Sequence, residues 1–558
     1  MAVASTSVSV AREAGRTVDR LLEHPRAVLA TLAAAQIGAT VLLAVAVEHN
    51  GWVWFQGGDQ IENVTTGWLL GQLELPPAIV SYLWPLALVP VTWVTGPTFL
   101  QLLPPLVVLQ VLVLGPVALV CVYALAARIG GRLLGYWAAL LWVATPFAAI
   151  PLFVERYQER FSDQFLPQAL GLTAMPDFPS MVLLLLSALF LVRAIEDGYA
   201  TEAALAGVLA GAAGGLKPAN YLFLAGALLA FAVARRWREG ALFSALVVPS
   251  VLVLALWKYR GLGDIPAFAH EQTRLAAGAG LPAIDVDRYI EIDLDHWRVQ
   301  MDYLREFFWS PRLAQWAPFA GLVAVLRVRK GTIAALLTGW LGAFLLVKGF
   351  SPRADIQANT FWRLLMPAWP AYLLLFASIP LLAPTLARRL GDRLRAPPSR
   401  PVRLRWLVAA FVLTVVAPVA ATAASSRLAP PDPPAVVQHF DEAATILTPV
   451  DEGIVLRVES LGERQRLTWT APAWRASVFY RVYRADGAES DLLCTTERNI
   501  VWNCFVDGTP LATTRETEFV DRDPRPGAIY RIGVGTNWAD DPEAGDIFAF
   551  SPPAAAAP

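Results

Sequence analysis

The stretch LPPLVVLQVLVLGPVALVCVYAL, Leu103 to Leu125, runs for 23 residues without one Asp, Glu, Lys or Arg. A helix needs roughly 17 to 25 apolar residues to cross the hydrocarbon core of a bilayer, so this segment reads as a crossing. Similar apolar runs lie at Ala27 to Val47, Leu133 to Phe153, Pro179 to Val192, Glu202 to Leu216, Ala219 to Ala234 and Ala241 to Trp257. Others lie at Trp316 to Leu326, Thr332 to Val347, Leu364 to Leu382 and Leu407 to Ala424. Together they predict about eleven crossings in a mainly α, polytopic membrane bundle. The chain has 558 residues, 56% of them hydrophobic and 16% charged, with a mean hydropathy of +0.48. A soluble chain averages about 25% charged residues, so an ordinary soluble domain is excluded. The first run is not a cleaved signal, because its charged lead-in is long and its core exceeds the usual span of about 7 to 15 residues.

The net charge of −1 decides little, because the placement of basic residues sets orientation. An amino terminus inside the cytoplasm puts Arg12, Arg16, Arg20 and Arg26 there, then Arg128 and Arg132, and then Arg235, Arg236 and Arg238. Arg327, Arg329, Lys330 and the basic run from Arg388 to Arg405 follow on the same side, while Glu48 to Leu102 holds no Lys or Arg. This distribution predicts a cytoplasmic segment 1–26, a membrane domain 27–425, and outer loops at 48–102, 154–178, 258–315 and 348–363. Two assignments decide the register of the loops. Ile79 to Val94 is interrupted by Pro85 and Pro90 and reads as a juxtamembrane element along the outer face. Leu216-Lys217-Pro218 reads as a turn, not as a kink in one helix, because a single kinked helix would invert everything downstream.

The character of the chain changes after the last run. Pro430-Pro431-Asp432-Pro433-Pro434 lies in a stiff linker, 426–450, and 451–553 reads as short strands separated by turns. Leu467-Thr468-Trp469, Tyr480 to Arg484 and Pro526 to Ile532 fit strands of a small sandwich. These segments resemble a fibronectin type III domain, with Trp469 as its core tryptophan and Tyr530 as its tyrosine corner; another immunoglobulin-type sandwich is the alternative. Cys494 and Cys504 flank a short hairpin-like segment and, outside the cytoplasm, are able to close a disulfide. Cys121, inside a predicted span, packs as a small apolar residue.

A candidate site begins in Gly57-Gly58-Asp59-Gln60, with Asn63 close behind. A carboxylate beside hydrocarbon is costly, and chemistry is a reason to keep one there. Tyr82-Leu83-Trp84-Pro85-Leu86 and Thr95-Gly96-Pro97 follow it. Together with later features, this pattern resembles the GT-C type integral-membrane glycosyltransferases, including the mannosyltransferase-like and aminoarabinose-transferase-like members that use a polyprenyl-phosphate sugar. The resemblance covers Val41 to Leu382 and implies that Asp59, the matching acid of the first outer loop, is the catalytic base. A sugar hydroxyl is a poor nucleophile, and a carboxylate within hydrogen-bonding reach takes its proton as the new bond forms. The competing reading is that Asp59 caps the following helix.

By the same resemblance Asp177, in Thr173-Ala174-Met175-Pro176-Asp177-Phe178-Pro179, is the second site acid, although a helix start favours an acid through its dipole alone. A lipid-phosphate donor needs cations. Lys217, after Gly214-Gly215-Leu216, and Arg363, in Asn359-Thr360-Phe361-Trp362-Arg363, are the matching candidates. The Arg fork fits phosphate oxygens, whereas the alternative for either cation is snorkelling to the interface. The loop 258–315, with His270, His296 and Trp297, reads as a substrate lid. Its Asp-x-Asp pairs leave a divalent metal open but do not require one, and no cofactor is expected. No Gly-rich nucleotide loop is present.

The expectation is therefore a cell-membrane enzyme with its carboxy-terminal domain outside. It would move a sugar, with inversion, from a polyprenyl-phosphate donor to a glycan, lipid or protein acceptor on the outer face. The bilayer is a partner and nucleic acid is not. The alternatives are a transporter or a lipid or polysaccharide flippase, for which no internal repeat is seen, and a non-catalytic envelope scaffold.

Overall fold

The computed structural model describes residues 23–46, 58–71, 73, 81–96, 99–152, 154–155, 158, 161–262, 293–306, 310–350, 360–383, 400–424, 453–470, 478–485, 510–536 and 547–557. The helices are α1 (Pro25–Ala46), α2 (Gly58–Gly71), α3 (Leu83–Thr95), α4 (Phe99–Leu109), α5 (Gly115–Ala148), α6 (Leu166–Ala169), α7 (Asp177–Asp197), α8 (Ala200–Leu216) and α9 (Phe223–Ala234). They continue as α10 (Trp237–Leu262), α11 (Leu294–Glu306), α12 (Pro311–Arg327), α13 (Gly331–Gly349), α14 (Thr360–Leu365), α15 (Trp369–Ser378), α16 (Leu404–Phe411) and α17 (Ala417–Ala424). Wider π turns join α4 to α5 at Gln110–Leu114 and α16 to α17 at Val412–Val416.

Each predicted run is helical over nearly all of its described residues. Among the described residues, however, seven helical stretches are long and apolar enough to cross a membrane: Pro25–Val45, Leu102–Ala148, Asp177–Asp197, Trp237–Trp257, Gly331–Gly349, Arg363–Leu382 and Leu404–Ala424. The chain is thus a multi-pass membrane protein, and these stretches account for eight of the about eleven expected crossings. Length sets the rest apart. The helices α8, α9 and α12 have 17, 12 and 17 residues, and Leu102–Ala148 contains two of the predicted crossings as one hairpin. At its bend Gly130 leaves helical dihedrals (φ −141°, ψ 23°) and Gly131 takes φ 84°, ψ 177°, which glycine adopts without a Cβ penalty. The chain folds back there, so that the rings of Tyr123 and Tyr136 stack 5.2 Å apart.

The break at Leu216-Lys217-Pro218 is a reversal. Lys217 is extended (φ −149°, ψ 110°) and a 3-10 turn, Pro218–Leu222, follows. Gly198, before α8, then faces Arg236, after α9: a Cβ on Gly198 would lie 3.8 Å from the Arg236 guanidinium. The helix α8 is rich in Ala and Gly because it is buried nearly all round, between α7 and α10. A Cβ on Gly207 would meet the Phe243 carbonyl oxygen at 2.3 Å.

Close backbone crossings of this kind recur where small residues meet. A Cβ at Gly226 of α9 would lie 2.4 Å from the Leu336 carbonyl oxygen and 2.5 Å from the Trp340 nitrogen of α13. Phe223 and Trp340 seal this crossing edge to face at 5.0 Å. Gly226→Leu is accordingly expected to destabilise the bundle at or above the ~1–3 kcal/mol typical of overpacking. Gly342→Ala, on the same α13 with nothing within 4 Å of the added Cβ, serves as the control. Thermal unfolding in detergent checks both, and equal melting temperatures for the two variants would contradict the crossing.

The bundle has two distinct ends. The 21 residues of α7 span roughly 30 Å at 1.5 Å per residue, about one hydrocarbon thickness. At its carboxy-terminal end Arg128 of the hairpin bend pairs with Glu196 at 2.6 Å and Asp197 at 3.1 Å, and Lys330 pairs with Glu196 at 2.6 Å. Arg193 pairs with the buried Glu202 at 2.5 Å and donates to the Arg400 carbonyl at 2.6 Å. Arg327 donates to the Leu382 carbonyl at 2.8 Å. The basic residues of these connections therefore gather at the end of the bundle away from Asp177.

The carboxy-terminal region has two antiparallel sheets. Strands β1 (Leu456–Ser460), β2 (Gln465–Trp469) and β5 (Glu518–Asp521) form one, in the order β1-β2-β5. The other has the order β4-β3-β6-β7, from β3 (Val478–Ala485), β4 (Ala512–Thr514), β6 (Ile529–Thr536) and β7 (Ile547–Phe550), with β8 (Ala554–Ala555) also paired to β6. Between β7 and β8 the Ser551 backbone N–H donates to the Ile532 carbonyl at 2.8 Å and its hydroxyl accepts from the Ile532 N–H at 3.0 Å. This keeps the ladder paired up to Pro552-Pro553, which have no N–H to donate.

Trp469 lies in the core against Tyr480, edge to face at 5.4 Å. Tyr530 donates its hydroxyl to the Asp521 carboxylate at 2.8 Å, where the tyrosine-corner expectation has a backbone acceptor. Burial pushes the Asp521 carboxyl up, but the hydrogen bonds from Tyr530 and Arg484 outweigh it and hold the group below its ordinary value. Cys494 and Cys504 lie outside the described residues. Cys121 is buried in α5, as expected.

Candidate active site

The site end of the bundle is organised around the start of α7. Asp177 occupies its first turn, where the helix dipole favours an acid, and its side chain is fully buried. A buried carboxylate with no counter-charge costs several kcal/mol. Two cations from distant parts of the chain meet that need. The Lys217 ammonium, at the break between α8 and the 3-10 turn, donates to Asp177 Oδ1. The Arg363 guanidinium, in α14, has its Nε 3.7 Å from Asp177 Oδ2, an ion pair too long for a hydrogen bond. Three of the residues singled out from the sequence, separated by 40 positions or more, are therefore brought together.

A further basic residue, Lys348 in the last turn of α13, lies near Lys217. The pairs thus set two cations against one carboxylate, leaving a net positive charge in surroundings of low dielectric. An anion is the group such a cluster is suited to hold. Sequence reading passed over Lys348 because a lone lysine closing an apolar run has the pattern of a snorkelling side chain.

The loop before Asp177 is held by side chains. Gln110, in the π turn after α4, donates through Nε2 to the Thr173 carbonyl at 2.7 Å. The Ala174 N–H donates to Gln60 Oε1 at 2.5 Å, and Trp84 Nε1 donates to the Ala174 carbonyl at 2.8 Å. Ser81 donates to the Leu216 carbonyl, next to Lys217. These bonds set α3, expected as an element along one face, at the Asp177 end, with its first half buried and Trp93 and Val94 exposed.

Asp59 lies in the first turn of α2, and its side chain is outside the described residues. Its neighbour Gln60 is the residue bonded to Ala174, three positions before Asp177. In the long loop His270 also falls outside the described residues. The stretch that carries His296 and Trp297 is helical, α11, and not an irregular loop. Trp297 packs on the end of α13, where a Cβ on Gly349 would meet its ring at 2.4 Å, and its ring centroid lies 6.2 Å from that of Phe350. His296 Nε2 lies 3.5 Å from Gln300 Nε2. Among the described residues no three His, Cys, Asp or Glu side chains are grouped as a metal site would need.

No family model matches the chain, and no curated protein does either. Among solved structures, the chain has a distant likeness to the crystal structure of the oligosaccharyltransferase of Archaeoglobus fulgidus in the apo form. The sequence identity is 12% and the TM-score 0.38, over 75% of this chain and 58% of that one. The chain therefore spans less than two thirds of the length of that structure.

Proposed function

We propose that the chain is a membrane glycosyltransferase that takes a sugar from a polyprenyl-phosphate donor and passes it to an acceptor hydroxyl on the outer face. The observation that supports this reading is the pairing of Lys217 and Arg363 with the buried Asp177 at one end of an apolar bundle. In this reading Asp59 takes the proton of the acceptor hydroxyl as its oxygen bonds to the anomeric carbon. The bond from that carbon to the phosphate oxygen breaks on the opposite side, inverting the centre, and polyprenyl phosphate leaves as a monoester. Its charge grows by one in that step, and fixed cations stabilise the growing charge most where water is excluded. Asp177 holds Lys217 and Arg363 in place. The site lies at the end opposite the basic connections, as the positive-inside rule requires of an outer site.

The carboxy-terminal region is, in the same proposal, a fibronectin type III-like module outside the cell. Its three-plus-four strand order and the buried Trp469 support this.

The test uses purified protein in lipid vesicles with a panel of polyprenyl-phosphate hexoses and pentoses, and reads release of polyprenyl phosphate. Arg363→Lys keeps the charge but loses the planar fork, so donor KM is expected to rise about tenfold with folding preserved. An unchanged KM for Arg363→Ala would remove this residue from the donor site. Failure of the parent protein to release polyprenyl phosphate from any donor would revive the transporter alternative.

A further inference from the structure

We propose that Gln60 is a positioning residue, which together with Gln110 clamps the Thr173–Ala174 peptide and so fixes the start of α7 relative to the start of α2. The proposal rests on the glycosyltransferase reading for its catalytic consequence, but not for the clamp.

The observation is that one peptide unit is gripped from both sides by side-chain amides of different elements. Gln110 Nε2 donates to its carbonyl oxygen at 2.7 Å, and Gln60 Oε1 accepts from its N–H at 2.5 Å. The next carbonyl, that of Ala174, accepts from Trp84 Nε1 at 2.8 Å. Gln60 and Gln110 are fully buried and Trp84 nearly so. A loop peptide this deep in an apolar bundle has no water to bond to, and each unmet group costs about 1–3 kcal/mol. Side chains from outside the loop therefore have to supply its partners, and these partners also define where the loop sits.

The clamp joins the two candidate acids. Gln60 directly follows Asp59 at the start of α2, and Ala174 precedes Asp177 by three residues. Rotation or sliding of α2 is transmitted to Asp177, and hence to Lys217 and Arg363, through a single hydrogen bond. The orientation of both amides is fixed, because Gln60 uses its oxygen and Gln110 its nitrogen. After the clamp is made, Gln60 Nε2 and Gln110 Oε1 are left buried with no hydrogen-bond partner among the described residues. Their placement is thus decided by the loop and not by a wider network.

The experiment compares full-length protein with Gln60→Met, which keeps the length but loses the acceptor, and with Gln60→Glu, which keeps an acceptor oxygen. Amide hydrogen exchange over residues 171–175 is read by mass spectrometry in lipid nanodiscs, and transfer is read with the same panel of polyprenyl-phosphate sugars. Slow exchange is expected for the parent, faster exchange for Gln60→Met and near-parental exchange for Gln60→Glu. Loss of alignment of about 1 Å costs up to 10²-fold, so kcat for Gln60→Met should fall about 10- to 100-fold, and Gln60→Glu should restore most of it.

Gln110→Leu, on the other side of the same peptide, should move exchange and kcat in the same direction. It keeps the proposal testable if Gln60→Met does not fold. Parental exchange in Gln60→Met would overturn the clamp, and fast exchange with parental kcat would overturn its positioning role. Absence of transfer by the parent protein overturns the glycosyltransferase reading and the catalytic consequence with it, while the exchange data still decide the clamp.

Discussion

Asp177→Asn is expected to cost more folding stability than any other single change at the site. Its carboxylate is fully buried, pairs with Lys217 and stands 3.7 Å from Arg363 Nε. Removing one partner of a buried pair leaves the other charge uncompensated, at a cost of about 3–5 kcal/mol. Here two cations lose the same counter-charge. Thermal unfolding of the purified protein should show the loss directly. The double variant Asp177→Asn with Lys217→Met should recover a large part of it, because the stranded charge goes with the lysine. A melting temperature for Asp177→Asn equal to that of the parent would mean that the cluster contributes little to the fold.

Asp59→Asn is expected to have the largest effect on turnover. If Asp59 accepts the proton of the acceptor hydroxyl, the amide keeps its size and shape but loses its basicity, and turnover should fall by about 10² to 10⁴-fold. Donor KM should be preserved, because the cations proposed to face the phosphate are untouched. A capping role predicts a nearly silent change, since Asn caps a helix about as well as Asp. Transfer by parent and variant at matched expression and thermal stability separates the two. Near-normal transfer by the variant would move the base to another group.

Much of this architecture was legible because lipid imposes a simple rule on sequence, namely long apolar runs punctuated by charge. The bend at Gly130-Gly131 and the reversal at Lys217-Pro218 both fall where the runs stop, beside a basic residue. The count of crossings was not legible in the same way. The helices α8 and α9 are apolar yet short, and length is the property that run-reading stretches most easily.

At the site, Asp177, Lys217 and Arg363 each stood out because a charge beside hydrocarbon is conspicuous. That they engage one another did not, since the Asp177–Lys217 ion pair closes over 40 positions and neither sequence context mentions the other. Lys348 was hidden by the ordinariness of a lysine at a helix end. Gln60 and Gln110 were hidden for a different reason. An amide carries no charge and no periodicity, and only the path of the Thr173–Ala174 peptide gives it a task.

The pairing of Arg128 with Glu196 has a consequence in time. The two are separated by 68 positions, and a ribosome adding about 5–20 residues per second reaches the second roughly 3 to 14 seconds after the first. During that interval Arg128 is a bare positive charge at the bend of a newly made hairpin. In the orientation that the basic runs predict, it counts in full towards the bias that retains basic loops in the cytoplasm. Once Glu196 and Asp197 emerge, the same guanidinium becomes a fastening between the hairpin and α7. In that orientation one residue acts first as an instruction to the insertion machinery and afterwards as a rivet of the finished protein.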